Sequence, residues 1–178
     1  MDKKHILIII GSASRNSANE KLMQLFASLT KDEMTVTMIN DLKVLPHFNP
    51  ELSGDSPPPV IANIRNQIGE ADGIIICTPE YVFSIPSGLK NLIEWCVSTT
   101  VFMNKPTGLI TASANGQKAH EELQLIMRTV MCDFNEQTTL LIQGIKGKIN
   151  DQLQITDKTT ETEFENFING FKQLLQLR

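Results

Sequence analysis

The sequence predicts a doubly wound α/β fold, a five-stranded parallel sheet sandwiched between two layers of helices. Three observations carry this. Five short strand candidates occur at 6–10, 35–39, 73–77, 108–112 and 138–142, several of them continuous apolar runs, as strands covered on both faces require. Between them the apolar residues switch to helical spacing. The strict alternation, with right-handed crossovers, leaves a three-layer sandwich as the natural topology. A chain of 178 residues with 41% hydrophobic content fits one domain over 1–178.

The elements follow in order. Ile6 to Ile10 form the first strand and stop at Gly11. The next helix shows its core face in Leu22, Leu25, Phe26 and Leu29. Thr35 to Ile39 form the second strand. The segment Asp41 to Pro59 carries Pro46, Pro50 and Pro57-Pro58-Pro59 and reads as a lid or rim rather than a linker. Ile61, Ile64 and Ile68 mark the second helix. Gly73 to Cys77 form the third strand, which Pro79 ends by removing a donor. Pro86 suits the first turn of the third helix, with Ser84 or Ile85 as its cap. That helix carries Leu89, Leu92, Ile93 and Cys96 on one face. Gly108 to Ala112, a stripe of Leu123, Ile126, Met127, Val130 and Met131, and Thr138 to Ile142 follow. Gly144 to Thr160 reads as a polar loop, and Phe164, Phe167, Ile168, Phe171, Leu174 and Leu175 as the last helix.

Composition excludes several functions. A net charge of -4 and a pI near 5.4 argue against a nucleic-acid partner, which calls for a basic face. No long apolar stretch or basic amphipathic helix points to a membrane. The first ten residues look briefly like a leader, but the apolar run is short and lacks a small-residue cleavage site. It is read as the first strand of a cytoplasmic protein. Cys77, Cys96 and Cys132 are widely spaced and odd in number, so neither a disulfide framework nor a metal site is expected. His5, His47 and His120 lack metal-ligand spacing and read as structural or surface residues. The Gly-x-Gly-x-x-Gly fingerprint, the P-loop and the Gly-x-Ser-x-Gly elbow are all absent. So is the arginine that a cysteine phosphatase needs six residues after its cysteine.

Two loops carry the chemistry. After the first strand come Gly11-Ser12-Ala13-Ser14-Arg15-Asn16-Ser17-Ala18-Asn19. Ser12, Ser14, Ser17 and Asn19 offer side-chain donors, Arg15 adds charge, and the following helix start adds amides, a set that suits a phosphate. The same residues also have a local reading, because Ser17 with Glu20 matches a capping box. After the third strand come Pro79-Glu80-Tyr81-Val82-Phe83-Ser84-Ile85-Pro86, which contain the only tyrosine. An aromatic ring, apolar side chains and free backbone amides suit a flat heterocycle. A third loop, Ala112 to Gln117, can rim the same space. In an open parallel sheet such loops border the ligand crevice. Together they point to a phosphorylated planar cofactor.

These residues resemble the NADPH-dependent FMN reductases. The first loop matches that family's Gly-Ser-x-Ser-Arg-x-Ser-x-Asn pattern. Pro79-Glu80-Tyr81, Ser84-Ile85-Pro86 and Gly88-Leu89-Lys90-Asn91-Leu92-Ile93-Glu94-Trp95 match its second signature. Leu45-Pro46-x-Phe48-Asn49 and Lys105-Pro106 also fit, so the resemblance runs from Ile6 to about Met131. It implies a flavodoxin-like fold, bound FMN, NADPH or NADH as electron donor, and a small-molecule acceptor such as a quinone, an azo compound, a metal ion or free flavin. By it, Ser12, Ser14, Arg15, Ser17 and Asn19 hold the phosphate. Pro79, Glu80, Tyr81, Val82, Phe83 and Ser84 line the isoalloxazine, and Ser113 closes the site. No side-chain acid or base is expected, because the flavin does the chemistry.

Two departures stand out. Val82 replaces the family's usual asparagine, and the third loop keeps only Gly116. Both imply weaker FMN binding or an altered acceptor. The family implies a homodimer or homotetramer. The helix carrying Trp95 either packs against a second subunit or buries that ring within its own. Two rival readings share the fold: a flavodoxin-type electron carrier, which calls for a more acidic chain, and a non-catalytic interaction protein that has lost FMN.

Overall fold

The computed structural model describes residues 3–176; Met1 and Asp2, part of the leader-like start, lie outside that range. Five strands, β1 (Lys4–Ile10), β2 (Met34–Ile39), β3 (Gly73–Thr78), β4 (Thr107–Ser113) and β5 (Thr139–Gln143), form one sheet in the order β2-β1-β3-β4-β5. Every pairing is parallel, with Ile8 beside Met38 on one side and Ile75 on the other. The helices are α1 (Ala18–Thr30), α2 (Pro59–Glu70), α3 (Ser87–Cys96), α4 (Gln117–Thr129) and α5 (Lys158–Gln176).

Alternation along β1 divides the core. Ile6, Ile8 and Ile10 pack with Leu22, Met23 and Phe26 of α1 and Phe164, Phe167 and Phe171 of α5. Leu7 and Ile9 pack with α2, α3 and α4 through Ile61, Leu89 and Leu123. One apolar run thus serves both layers because side chains alternate along a strand. The strand order reverses between β1 and β3, so the loops that follow these two strands flank the switch-point crevice.

The proline-rich segment is a pinned rim. Leu42 and Leu45 are buried in the core, and Trp95 Nε1 donates to the Pro46 carbonyl at 2.8 Å. Asn91 clasps the same stretch, accepting from Phe48 N at 2.7 Å and donating to Pro46 O at 3.0 Å. Buried Arg65 donates to Ser53 O at 2.7 Å. Trp95 is fully buried in its own subunit, edge-on to Phe48 at 5.4 Å, which removes it as an interface residue.

Three local expectations are corrected. Helix α4 stops at Thr129, and Met131 is 54% exposed at φ 61°. Its left-handed backbone turns the chain away before the apolar stripe is finished. Pro86 is itself the N-cap of α3 and has no side-chain acceptor to cap it, while Ser84 Oγ donates to Glu122 instead. The segment after Gly144 is not simply a polar loop. Ile145 and Ile149 are buried in the core, Ile149 bridges Ile155, and α5 already begins at Lys158.

His120 lies buried on α4, its Nδ1 3.0 Å from Thr111 Oγ1. Burial lowers its pKa from the ordinary 6.5. The unfolded chain therefore takes up the proton first, and stability is lost as pH falls below 6.5. His120→Gln is expected to flatten that part of the profile. The check is thermal unfolding of both proteins at pH 7.5 and 5.5; an equal drop in both contradicts it.

Candidate functional site

A cleft of about 700 Å³ opens at the C-terminal edge of the sheet. Its walls come from three predicted loops and one unforeseen one. Ser12, Ser14, Arg15, Ser17 and Asn19 supply one end, and Pro79, Glu80 and Tyr81 supply a side. Ser113, with Ala112 and Ala114, lines the cleft beside that side, at the end of the neighbouring strand β4. The loop after β5 adds Ile145, Lys146 and Ile149. No spacing marks these three in the sequence. They reach the cleft only because β5 ends beside β4.

Each residue of the first loop has a defined setting. Ser17 Oγ accepts from Glu20 N at 3.1 Å and caps α1. Glu20 Oε2 accepts from Asn16 N at 2.9 Å, one residue earlier than the predicted capping box. Ser12 Oγ accepts from Ser14 N at 3.3 Å. Asn19 is buried, with Nδ2 donating to Ala112 O at 3.1 Å and Oδ1 accepting from Cys77 Sγ at 3.3 Å. Its side chain therefore ties α1 to the sheet, and what it offers a phosphate is its backbone amide. Among the described residues, the Ala18 and Asn19 amides of the first turn have no acceptor. Arg15 is exposed and has no ion pair among them. Lys21 is held by Asp151 at 2.6 Å, leaving Arg15 and Lys146 as uncommitted cations of the cleft.

The second loop is a tight hairpin. Tyr81 N donates to Ser84 O at 2.9 Å, and Ser84 N to Tyr81 O at 3.1 Å. Val82 and Phe83 between them both have positive φ, 52° and 60°, the pattern of a type I′ turn. Val82 is 94% exposed and Phe83 72%. The cleft is lined by Pro79, Glu80 and Tyr81, while Val82, Phe83 and Ser84 lie outside its walls. Glu80 has a role the sequence did not reveal. Its Oε1 accepts from Gly116 N at 3.2 Å and its Oε2 from Ala119 N at 3.0 Å, capping α4. Its own amide donates to Ser113 Oγ at 3.1 Å. Gly116, at φ 88°, is the glycine that lets the third loop turn into α4.

Left-handed backbone costs a β-branched residue about 1–2 kcal/mol and asparagine much less. Val82→Asn is therefore expected to raise stability by about 0.5–1 kcal/mol. Since this side chain lies outside the cleft, FMN affinity should stay within about twofold, a change of under half a kcal/mol. Thermal melts and flavin titration check both. A large affinity gain would instead restore the ring contact that the sequence implied.

The thiols are not nucleophiles here. Burial pushes Cys77 far up and Cys96 up to about 12, and it raises half-buried Cys132 to about 11. All three are therefore protonated at neutral pH. The arrangement that remains is a cleft with a hydroxyl- and cation-bearing end and an aromatic and aliphatic flank, of a size that takes a cofactor.

Comparison with known proteins agrees. Residues 5–142 match the family model for NADPH-dependent FMN reductases. An NADH-dependent flavin reductase subunit from Lactobacillus johnsonii is 34% identical, covering 94% of this chain and 97% of that protein. A 2-hydroxy-1,4-benzoquinone reductase from Burkholderia is 26% identical, covering 93% of each. Among solved structures, FerB from Paracoccus denitrificans, a flavoenzyme NAD(P)H:acceptor oxidoreductase, superposes with a TM-score of 0.81 at 22% identity over 97% of each chain. That last likeness establishes the flavodoxin-like fold. With the family pattern matched across most of the chain and both signature loops meeting at one cleft, this chain belongs to the NADPH-dependent FMN reductase family.

Proposed function

We propose that this chain binds FMN in the switch-point cleft and works as an NAD(P)H oxidoreductase toward small planar acceptors. The observation that carries the reading is the polarity of one cleft: Arg15, Ser14, Ser17 and two open helix amides at one end, Tyr81 and apolar neighbours along the flank. A dianionic phosphate fits the first set, where charge-assisted bonds and the helix dipole act together. A flat ring fits the second. When bound, the flavin supplies the two-electron chemistry. The protein's part is to anchor the phosphate, orient the ring and limit water. Glu80 contributes indirectly, joining the ring loop to Ser113 and to α4.

The named substrates of two relatives, a flavin and a hydroxybenzoquinone, support a small acceptor. A homodimer or homotetramer finds support in the adjacent Val82 and Phe83, both largely exposed at one loop tip, a pair that a partner would cover. Three free thiols support a reducing cytoplasmic location. No helix among the described residues is long and apolar enough to cross a membrane.

The test is direct. Purified protein mixed with FMN should develop a perturbed flavin spectrum and then consume NADPH or NADH steadily in the presence of a quinone. Initial-rate plots should be parallel, as expected if donor and acceptor use one open face in turn. A protein that stays colourless with excess FMN would overturn the reading.

A further inference from the structure

We propose that Glu122, on α4 and outside every predicted loop, is a positioning residue that holds the ring loop in its working shape. The inference rests on the flavin reading and on three observations independent of it. First, the turn at Val82 and Phe83 is one its own sequence disfavours. Two successive left-handed residues are normally asparagine and glycine, and here neither is present. Second, the tip has little packing to hold it, being largely exposed, and within the turn only two backbone bonds close it. Third, the base of the turn is gripped from outside. A single oxygen, Glu122 Oε2, accepts from Ser84 Oγ at 2.7 Å and from Ile85 N at 3.0 Å.

The grip is matched on the other side of the turn. Glu80, just before it, reaches into the first turn of α4 through Gly116 and Ala119. Glu122 stands one helical turn beyond Ala119 and reaches back to Ser84 and Ile85. The turn is therefore tied at both ends to one helix, with each partner supplying a carboxylate. A strained turn persists where its surroundings over-determine it. Tyr81, which lines the cleft, is the first residue of that turn. Releasing Glu122 frees the turn to relax toward ordinary backbone angles and moves Tyr81 away from its place in the cleft wall.

The experiment compares wild type, Glu122→Ala, Glu122→Gln, Ser84→Ala and, as a control, Glu121→Ala, whose exposed carboxylate pairs with Lys118. Each is titrated with FMN and riboflavin, and the bound flavin's visible spectrum and reduction potential are recorded. Glu122→Ala should weaken both ligands about five- to tenfold, less than the full worth of hydrogen bonds to a charged acceptor because the effect reaches the ligand only through Tyr81, and should alter the spectrum. Equal loss for both ligands places the defect at the ring half of the site. Glu122→Gln keeps an acceptor oxygen and should recover most of the affinity, Ser84→Ala should show a smaller loss in the same sense, and Glu121→Ala should match wild type. If Glu122→Ala fails to fold, the Gln and Ser84 variants decide. FMN affinity and spectrum unchanged in Ser84→Ala, or Glu122→Gln as impaired as Glu122→Ala, overturns the proposal. Wild type that takes up no FMN counts against the flavin reading itself.

Discussion

Gly11→Ala is expected to lower stability by about 2–3 kcal/mol, near the top of the usual range for overpacking, and to weaken FMN binding at least tenfold. A Cβ at Gly11 would lie 2.3 Å from Thr78 Oγ1, 2.8 Å from Thr78 Cβ and 3.1 Å from Leu89 Cδ2. Thr78 is fully buried and its hydroxyl donates to Pro79 O at 3.1 Å, so it cannot swing aside freely. Gly11 N also donates to Cys77 O at 2.9 Å, which holds the two strand ends together. The added methyl forces them apart at the point where the phosphate loop and the ring loop both depart. One substitution therefore disturbs both halves of the site. In a chain of this size, about 2–3 kcal/mol corresponds to roughly 5–10 °C in melting temperature. Thr78→Ala removes the closest clashing atom but not Thr78 Cβ. The double variant should recover part of the loss, a coupling that a double-mutant cycle measures directly. A melting point within about 2 °C of wild type, under one kcal/mol, would show that the strand ends are not packed as described.

What could be read from the sequence, and what could not, divides along physical lines. Strands β1 and β3 are buried on both faces, so their residues form unbroken apolar runs with no competing period. Helix faces were legible from their spacing, down to the phenylalanines of α5, except that Leu29, read as part of the core face of α1, is 55% exposed near the end of that helix. The misread ends have local causes. The apolar stripe of α4 runs past the helix to Met131, because the backbone turns at a positive φ that hydrophobic spacing does not encode. Arg65 lies buried on α2, among the isoleucines of its core face, because the carbonyls of Ser53 and Trp95 satisfy it. Those acceptors come from distant parts of the chain.

The site divides in the same way. Its two signature loops announce themselves by composition. The roles within them depend on partners that only the fold supplies. Asn19 looks like a phosphate donor until Ala112 O and Cys77 take up its amide. Glu80 lines the cleft as its loop suggests, but its carboxylate is taken up by Gly116 and Ala119. Lys146 sits in a stretch that carries no motif, and the β5 end places it at the cleft. Residues that contact a ligand in one family pattern can thus be the ones that hold its frame.

Arg15→Ala is expected to weaken FMN by about 1–3 kcal/mol, roughly five- to 150-fold, while leaving riboflavin nearly unchanged. Arg15 lies at the cleft end that carries Ser14, Ser17 and the open amides of Ala18 and Asn19. It has no ion pair or side-chain hydrogen bond among the described residues, so truncation breaks no polar contact and the folded protein should keep its melting temperature. Riboflavin lacks the phosphate and has nothing for the guanidinium to hold. The difference between the two ligands therefore isolates the charge-assisted contact from packing around the ring. Because the cation is exposed, its contribution should shrink as salt rises through a few tenths molar, where the Debye length falls to about 3–10 Å. Lys146→Ala should act in the same sense but less, since an ammonium offers a point charge without the paired geometry of a guanidinium. Competition titration at low and high salt makes the measurement. Riboflavin bound as tightly as FMN by wild type, or equal weakening of both ligands in the arginine variant, would remove the first loop as the phosphate site.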